Sequence, residues 1–401
     1  MKKGCKPDLY NWILFCIPWA AYAAVTLLLF HRQTVYYAGG YSSDFAFYIA
    51  HMEGISTGYE FPYPIMFWVG KCFRIFLNPE MAMAFGVAFL NALTPPILKY
   101  YMDGFIRRET VWNKTTAALS TLFTFSLLFV SMLFLDLGKG SIGWRYRGVF
   151  SPNPFHNATY LATRPFSIVC FFMLIDLLQT YEKGADKKKY IIFSVFLLLT
   201  TMTKPSFTFG FVLMTAVILL YRACRSRFQN FKETMLLAAC AVPTLIDLLY
   251  QFRNVFTGTN ALGEQTGIGI GWLKAWSMQG RSIGYALLMG LAFPMIVLIF
   301  NVKNLKEEKG YRLSLQMLIT NLLMLFFLYE KGFRMGHVNF AWGYMHAMSF
   351  SYIMSLLLLF KNTQNKKQPV GVLALQWGVY VWHLVCGIVY FSNIMAGGEF
   401  L

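Results

Sequence analysis

The chain has 401 residues, of which 57% are hydrophobic and only 13% are charged. A soluble domain keeps roughly a quarter of its residues charged, so this composition excludes an ordinary soluble protein and predicts a polytopic membrane protein. The formal net charge of +17 is explained by lysines and arginines in short loops, which orient membrane helices, and requires no nucleic-acid partner. Seven scattered cysteines contain no CxxC pair and predict neither a metal site nor a disulfide framework.

Apolar segments of membrane-helix length recur along the whole chain. The first has no cleavage site of the signal-peptide kind and is long enough to cross a bilayer, so we expect it to be retained. The predicted fold is all-α, a single transmembrane domain over residues 1–401 without a separate soluble domain. The eleven predicted membrane helices lie at 11–30, 81–102, 115–136, 165–181, 190–203, 206–222, 233–251, 281–302, 313–329, 343–360 and 370–392.

The loops differ in a way that predicts orientation. Every second loop is short and basic, as in residues 183–189 and 361–367, which places those loops and the N-terminus in the cytoplasm. The loops on the other side are longer and rich in Gly, Trp, Tyr, Asn and His. Because such loops more often bind or react than merely connect, the working face is predicted to be extracytoplasmic. The four outer loops are 31–80, 137–164, 252–280 and 330–342.

The first outer loop carries a polar cluster. Asp44, Tyr48 and His51 are spaced so that a helix would place all three on one face, and Glu53 and Glu60 follow. Composition alone favours a simpler interpretation, a solvated connection that contains a short helix. The orientation of the chain favours the functional interpretation, because it places this loop beside the other polar loops.

An amphipathic segment follows the break at Pro62 and Pro64. Residues 65–77 set Lys71 and Arg74 among aromatic side chains. The segment is short for a crossing and is interrupted by charge, so we expect a helix that lies in the membrane interface. A twelfth crossing here would invert every later loop and place the basic loops outside.

The second outer loop combines basic side chains with His156 and Asn157. Arginine offers forked donors that suit phosphate, although anchoring at lipid headgroups explains many such arginines equally well. The basic residues of this loop are Lys139, Arg145, Arg147 and Arg164.

A third feature is the sequence TMTKPSF, which interrupts the apolar run 190–228. Proline disfavours helix in the residue before it, and Lys204 within an apolar run is costly unless it faces a cavity or an anion. These facts predict a re-entrant hairpin whose tip lies near the outer leaflet. Snorkelling of Lys204 to ordinary headgroups is the alternative.

The fourth outer loop is dense in hydrogen-bonding side chains, which favours function over a plain aromatic belt at a helix end. The side chains concerned are Glu330, Lys331, Arg334, His337, Asn339 and Trp342.

The chain lacks the motifs of ATP-dependent and nicotinamide-dependent enzymes, among them a Walker A sequence and a Rossmann fingerprint. Cations near a membrane surface, a carboxylate and aromatic side chains suit a lipid-linked phosphosugar. The cations would hold the phosphate, an apolar groove the lipid, and the carboxylate would take a proton from an acceptor hydroxyl. The outer carboxylates would tolerate a divalent cation, but none stands in a ligand-spaced pair, so no metal and no cofactor is predicted.

The layout resembles the GT-C superfamily of integral-membrane glycosyltransferases, which take sugars from polyprenyl-phosphate carriers. The resemblance rests on the topology and on three short segments: Ser43-Asp44 after the first helix, the sequence GYEFPYP at 58–64, and Thr203-Lys204-Pro205. In that family an acidic residue of the first outer loop is the catalytic base, and the resemblance assigns this role to Asp44. The larger members carry a soluble domain after the last helix, which is not recognisable here, so the acceptor stays open.

The predicted activity is inverting transfer of a sugar from a polyprenyl-phosphate donor to a glycan or lipid acceptor outside a bacterial-type plasma membrane. Asp44 is the predicted base, with Glu53, Glu60 and His51 as further acids or bases. Phosphate ligands are predicted to be Lys204, Arg164 and Arg334. The sugar or acceptor site is predicted to contain Tyr48, His156, Asn157, Glu330, His337, Asn339 and Trp342.

Two other functions remain open at the level of sequence. A repeat-unit polymerase or ligase would use a polyprenyl-diphosphate glycan and rely on Arg145 and Arg147. A transporter or lipid flippase commonly has broken helices in matching positions of two halves, whereas this sequence has one such break, at Lys204.

Overall fold

The computed structural model describes residues 9–36, 40–58, 60–133, 146, 148–256, 266–279 and 282–398. Lys139, Arg145 and Arg147, which the sequence singled out, lie outside these ranges, as does Tyr59. Within them the chain forms sixteen α-helices and one small sheet. The helices are α1 (Leu9–Val35), α2 (Phe45–Met52), α3 (Ile65–Arg74), α4 (Pro79–Ala92), α5 (Thr94–Glu109), α6 (Lys114–Leu127), α7 (Ala158–Thr180), α8 (Lys187–Thr203), α9 (Ser206–Arg225), α10 (Phe231–Ala239), α11 (Val242–Phe256), α12 (Lys274–Ser277), α13 (Ile283–Asn301), α14 (Lys309–Phe327), α15 (Phe340–Gln364) and α16 (Val370–Met395).

Each of the eleven predicted membrane segments contains a helix or a pair of helices. Eight of them are long and apolar enough to cross a membrane, in the part of the chain that the structure describes, and the pair α10 and α11, bent by 43°, would make nine. The helices α6 and α8, with 14 and 17 residues, are shorter than a usual span. An all-α polytopic membrane protein is therefore confirmed, while the number eleven and the sidedness stay predictions.

The helix α15 is the centre of the bundle. Its side chains are buried along nearly the whole length, from Ala341 to Asn362, and α9, α13, α14 and α16 pack around it. Glycines allow the closest approach: a Cβ on Gly343 or on Gly210 would lie 2.5 or 2.2 Å from Asn321 Oδ1. Small residues bring membrane helices together in this way, so α9 and α15 both close on Asn321 of α14.

The break at Lys204 and Pro205 separates two consecutive helices. The helix α8 ends at Thr203 and α9 begins at Ser206. The helix α9 has 20 residues and is long and apolar enough to cross a membrane alone, whereas α8, with 17 residues, is shorter than a usual span. The re-entrant turn stays a prediction. The consequence for the site is the same in either case, because the break lies beside the start of α7.

The first outer loop contains the two predicted short helices, α2 and α3. In α3, Phe67 is buried while Trp68 is 54% exposed, as expected for an amphipathic helix. Gly70 of α3 meets Gly86 of α4, where a Cβ on Gly86 would lie 2.9 Å from the Gly70 nitrogen. This contact packs the loop helices against α4.

A two-stranded antiparallel sheet was not predicted. The strands β1 (Ile268–Ile270) and β2 (Leu328–Glu330) pair with Ile268 opposite Glu330 and Gly269 opposite Tyr329. Gly269 lies directly against the Tyr329 ring, so any larger residue at this position would displace that ring. The sheet joins the third outer loop to the fourth and fixes the backbone of Glu330.

Candidate functional site

A cavity of about 450 Å³ opens where the polar loops meet. Its walls come from α2 and the segment after it, the start of α7, the α8–α9 break, α11, and the 3₁₀ turn Gly332–His337. Eleven of the fourteen predicted site residues line it, so the structure brings together side chains that are up to about 300 residues apart in sequence. These eleven are Asp44, Tyr48, Glu60, His156, Asn157, Lys204, Glu330, Arg334, His337, Asn339 and Trp342.

Arg164 lies away from this cavity. It is 5% exposed, within α7. Its guanidinium donates to Tyr22 Oη at 2.9 Å, to Asn91 Oδ1 at 2.8 Å and to Asn153 Oδ1. These are neutral groups of the helix bundle, so Arg164 joins α1, α4 and α7 and does not stand with the predicted phosphate ligands.

Two residues of the first outer loop also lie elsewhere. Glu53 forms an ion pair with Arg74, with Oε1 3.0 Å from Nε, at the protein surface. The ring of His51 packs on Phe67, with ring centroids 4.5 Å apart. Asp44 and Tyr48 share a face as predicted, since the Tyr48 hydroxyl reaches the Asp44 carboxylate, whereas the packing of His51 on Phe67 of α3 keeps His51 out of the cavity lining.

Asp44 is the acid that faces the cavity. It occupies the N-cap position of α2, but its side chain makes no capping hydrogen bond. Its Oδ2 instead accepts hydrogen bonds from Tyr48 Oη and Asn157 Nδ2, both at 3.2 Å. Burial raises the pKa of Tyr48 well above its usual value, and the Asp44 charge adds to this, so the phenol stays a donor. The residue itself is exposed, which leaves its carboxylate accessible.

Lys204 is the buried cation of the site. It is 8% exposed, and its Nζ donates to Asn157 Oδ1 at 2.9 Å and to Thr159 Oγ1 at 2.8 Å. The same nitrogen lies 4.4 Å from the centre of the Trp342 ring. Burial lowers the pKa of Lys204 to about 7, and Asp44 offsets part of this effect. In the described ranges no carboxylate forms an ion pair with Lys204, so an anion in the cavity would stabilise its charge.

His156 lies beside this cation and is neutral. Its ring packs against Tyr146, with centroids 4.5 Å apart, and faces Trp342 at 5.9 Å. Burial and the neighbouring Lys204 lower the pKa of His156 to about 3. An uncharged imidazole suits a hydrogen-bonding role towards a sugar better than a role in binding phosphate.

A second polar group faces the same cavity from β2 and the turn after it. Glu330 Oε2 accepts a hydrogen bond from Asn339 Nδ2 at 2.6 Å. Burial raises the pKa of Glu330, which Asn339 and Arg334 partly offset. Burial raises the pKa of Tyr63, and the charges of Asp44 and Glu330 add to this effect, so the Tyr63 hydroxyl lies within electrostatic reach of both polar groups.

The remaining wall of the cavity is apolar and is built largely from α11. Phe252 and Phe256 line the cavity, and other side chains of the helix face outwards, such as Ile246 and Leu249 at 64% and 66% exposure. Only Thr244 and Gln251 of this helix are buried. Because few side chains of α11 are buried, this helix forms a thin apolar wall between the cavity and the outer surface of the bundle.

Sequence reasoning missed Tyr63 and the α11 wall. Tyr63 stands between two prolines in FPYP. This spacing is a sequence signal for a positioned side chain, since a proline on each side restricts the backbone that carries the tyrosine. The phenylalanines of α11 give no such signal, because they are ordinary residues for a membrane helix. Among the described residues, no three His, Cys, Asp or Glu side chains are grouped in a way that would hold a metal ion.

Comparison of the sequence with known protein families gave no match, and neither did comparison with curated proteins.

Proposed function

We propose that this chain is an integral-membrane glycosyltransferase that moves a sugar from a polyprenyl-phosphate carrier to an acceptor hydroxyl on the extracytoplasmic face. One observation carries the proposal: a single cavity combines the accessible carboxylate of Asp44, the buried cation of Lys204 and an apolar side along α11. A lipid-linked phosphosugar has a matching anion, sugar and hydrocarbon chain.

The cations would bind the phosphate. Lys204 has neutral hydrogen-bond partners and no ion pair within the described ranges, and Arg334 lines the same cavity. A phosphate beside them would form charge-assisted hydrogen bonds in a water-poor site, where such bonds are strong. The negative charge that grows on the phosphate as it leaves would be stabilised by the same groups.

Asp44 would act as the general base. Its carboxylate would take the proton of the acceptor hydroxyl while that oxygen forms a bond to the anomeric carbon. The bond from the anomeric carbon to the phosphate oxygen would break, and polyprenyl phosphate would leave with that electron pair. Attack opposite the leaving group inverts the anomeric centre. A positioned base contributes about 10²- to 10⁴-fold to such a step.

The other side chains of the cavity suit the sugar. Trp342, Tyr63 and Tyr146 provide aromatic faces, and the two tyrosines also provide hydroxyls, while Glu330 and Asn339 provide further hydrogen-bonding groups. Sites for small ligands combine apolar walls with a few placed polar groups in this manner. The chain of the carrier lipid would lie along Phe252 and Phe256.

The test is a transfer assay with the purified protein in lipid nanodiscs, a radiolabelled polyprenyl-phosphate hexose or pentose as donor, and a panel of glycan and lipid acceptors. Wild-type protein should release polyprenyl phosphate and label an acceptor. Asp44→Asn should remove this activity, because the amide has nearly the same shape but does not take the proton. Glu53→Gln is the matched control, since this carboxylate lies outside the cavity, and should transfer at the wild-type rate.

Two outcomes would contradict the proposal. Full activity of Asp44→Asn would exclude Asp44 as the base. Movement of intact donor across proteoliposomes, with no cleavage in the presence of any acceptor, would favour a transporter.

A further inference from the structure

The amide of Asn157 stands between the two charged groups of the cavity. It is the N-cap of α7, and its Oδ1 accepts a hydrogen bond from the Tyr160 backbone nitrogen at 2.9 Å. The same oxygen accepts from Lys204 Nζ at 2.9 Å. Its Nδ2 donates to Asp44 Oδ2 at 3.2 Å. Asn157 is itself only 2% exposed.

These contacts determine which end of the amide faces Asp44. The backbone N–H of Tyr160 and the ammonium of Lys204 are donors only, so both must meet the amide oxygen. The NH₂ group is then the end that is left for Asp44. The helix cap and Lys204 together fix Asn157 as a donor to the carboxylate, and rotation of the amide would bring two donors against its NH₂ group.

The two hydrogen bonds to Asp44, from Asn157 and Tyr48, both fall on Oδ2. This holds for the part of the chain that the structure describes and leaves Oδ1 as the oxygen for a substrate proton. A carboxylate that is held through one oxygen keeps the other in a fixed direction. Lys204 approaches Asp44 through the amide, because its own hydrogen bonds go to Asn157 and Thr159.

We propose that Asn157 is a positioning residue for Asp44: it holds Oδ2 by an obligate hydrogen bond and so directs Oδ1 to the acceptor. The inference deepens the proposed function and rests on it for the role of Asp44 as base. It replaces the prediction that Asn157 binds the sugar or acceptor. Other titratable groups act on the same carboxylate, and these are Tyr48, Tyr63, Tyr146, Lys204 and His337.

The decisive variant is Asn157→Asp. Aspartate caps helices as well as asparagine does, and a carboxylate in this place would still accept from Lys204 and from the Tyr160 nitrogen. It would no longer donate to Asp44, and it would set a second carboxylate against the first. Two carboxylates at hydrogen-bond distance hold a proton between them, which raises the pH at which the pair ionises by about one unit or more.

Two measurements report the coupling between Asn157 and Asp44. Carbodiimide in the presence of an amine nucleophile reacts with a protonated carboxyl, and peptide mass spectrometry of the protein in nanodiscs gives the pH midpoint of labelling at residue 44. This measurement needs no activity. The acid limb of the transfer rate against pH is the second measurement, with a polyprenyl-phosphate sugar as donor.

In Asn157→Asp, both the labelling midpoint and the acid limb should move to higher pH by about one unit or more. Asn157→Ser keeps a helix cap but removes the donor, and should move both in the same direction by less. Ser314→Ala is the control for loss of a buried hydroxyl, since Ser314 is fully buried and donates to the Tyr311 carbonyl, outside this cluster. Its labelling midpoint should equal that of the wild type.

Equal labelling midpoints in the wild type, Asn157→Asp and Asn157→Ser would overturn the inference, whether or not the protein transfers sugar. A shifted midpoint with no transfer by the wild type would contradict the proposed function and would still support the coupling of Asn157 to Asp44. If Asn157→Asp does not fold, Asn157→Ser alone decides the matter by the same two readouts.

Discussion

Two clusters in this protein combine a buried lysine, an aspartate and an asparagine, and they are built differently. In one, Lys99 Nζ lies 2.8 Å from Asp103 Oδ1, Asn11 donates to Oδ2 at 2.9 Å, and Ser120 donates to Oδ1 as well. In the other, Lys204 does not contact Asp44 directly, because Asn157 lies between them.

The two clusters differ in whether their charges are saturated, meaning that every charged atom already has a hydrogen-bond partner within the protein. Both oxygens of Asp103 accept hydrogen bonds from the bundle, and its lysine is 1% exposed. Asp44 has two donors on one oxygen and is exposed to a cavity of about 450 Å³. The Asp103 cluster joins α1, α5 and α6, whereas the Asp44 cluster leaves an acid and a cation available to a ligand. Residue type alone therefore does not tell a structural charge from a reactive one.

The largest effect on stability is expected for Asp103→Asn. The substitution would leave Lys99 buried without its ion pair, which costs about 3 kcal/mol, at the low end for a broken buried pair because Asp103 is partly exposed. Thermal unfolding in detergent should show a clear fall of the midpoint. The double variant Lys99→Met with Asp103→Leu removes both charges and should recover part of the loss, since Asn11 and Ser120 still lose their acceptor. A double variant as unstable as Asp103→Asn would contradict the saturated pair.

A smaller effect, on binding, is expected for Lys204→Met. The thioether side chain fills similar space but offers no charge to a phosphate, so affinity for the polyprenyl-phosphate donor should fall by roughly 30-fold, or about 2 kcal/mol. Equilibrium binding of the labelled donor to nanodiscs measures this. Lys99→Met is the comparison, because it removes an equally buried charge outside the cavity. Equal donor affinity in the wild type and Lys204→Met would remove Lys204 from the phosphate site.

A pH-dependent effect is expected from His156. Because the folded state lowers its pKa from 6.5 to about 3, the unfolded chain binds the extra proton first, and stability falls as the pH drops below 6.5. Relative to His156→Gln, which has no such group, the wild type should lose roughly 1 kcal/mol of unfolding free energy between pH 7.5 and pH 5.5. Unfolding midpoints of both proteins between pH 7.5 and pH 5.5 test this. Parallel curves would show that His156 is not buried as described.

The smallest effect is expected for Glu53→Gln. Its ion pair with Arg74 is at the surface, and exposed pairs contribute about 0 to 1 kcal/mol. Unfolding midpoint and transfer rate should both stay close to the wild type. A large loss of transfer would show that Glu53 acts as an acid or base in the reaction.

The sequence predicts the helices well and the site in large part. Apolar runs of the sequence contain all eight described helices that are long and apolar enough to cross a membrane. The polar loops converge because the bundle brings their ends together. Lys204 is recognisable as a site residue because a charge before a proline in an apolar run is costly unless it faces a cavity or an anion.

What the sequence does not show is the direction in which each side chain points. Arg164 and Lys204 are both cations near helix ends, and only the packing of α7 against α1 and α4 shows that Arg164 serves the bundle. Asp44 and His51 have helical spacing, but only the packing of His51 on Phe67 of α3 shows that its ring does not join Asp44 at the cavity. The three-residue strands β1 and β2 are too short to give a periodic signal, so the sheet that contains Glu330 was not predicted.

The central claim is that Asp44 reacts while Asp103 only holds the bundle together. It is tested most directly by the initial rate of sugar transfer per folded molecule in Asp44→Asn and Asp103→Asn, measured side by side with the wild type in nanodiscs. We expect Asp44→Asn to fall by at least about 100-fold with an unchanged unfolding midpoint, and Asp103→Asn to keep a rate close to the wild type despite its lower midpoint. A wild-type rate in Asp44→Asn would contradict the account.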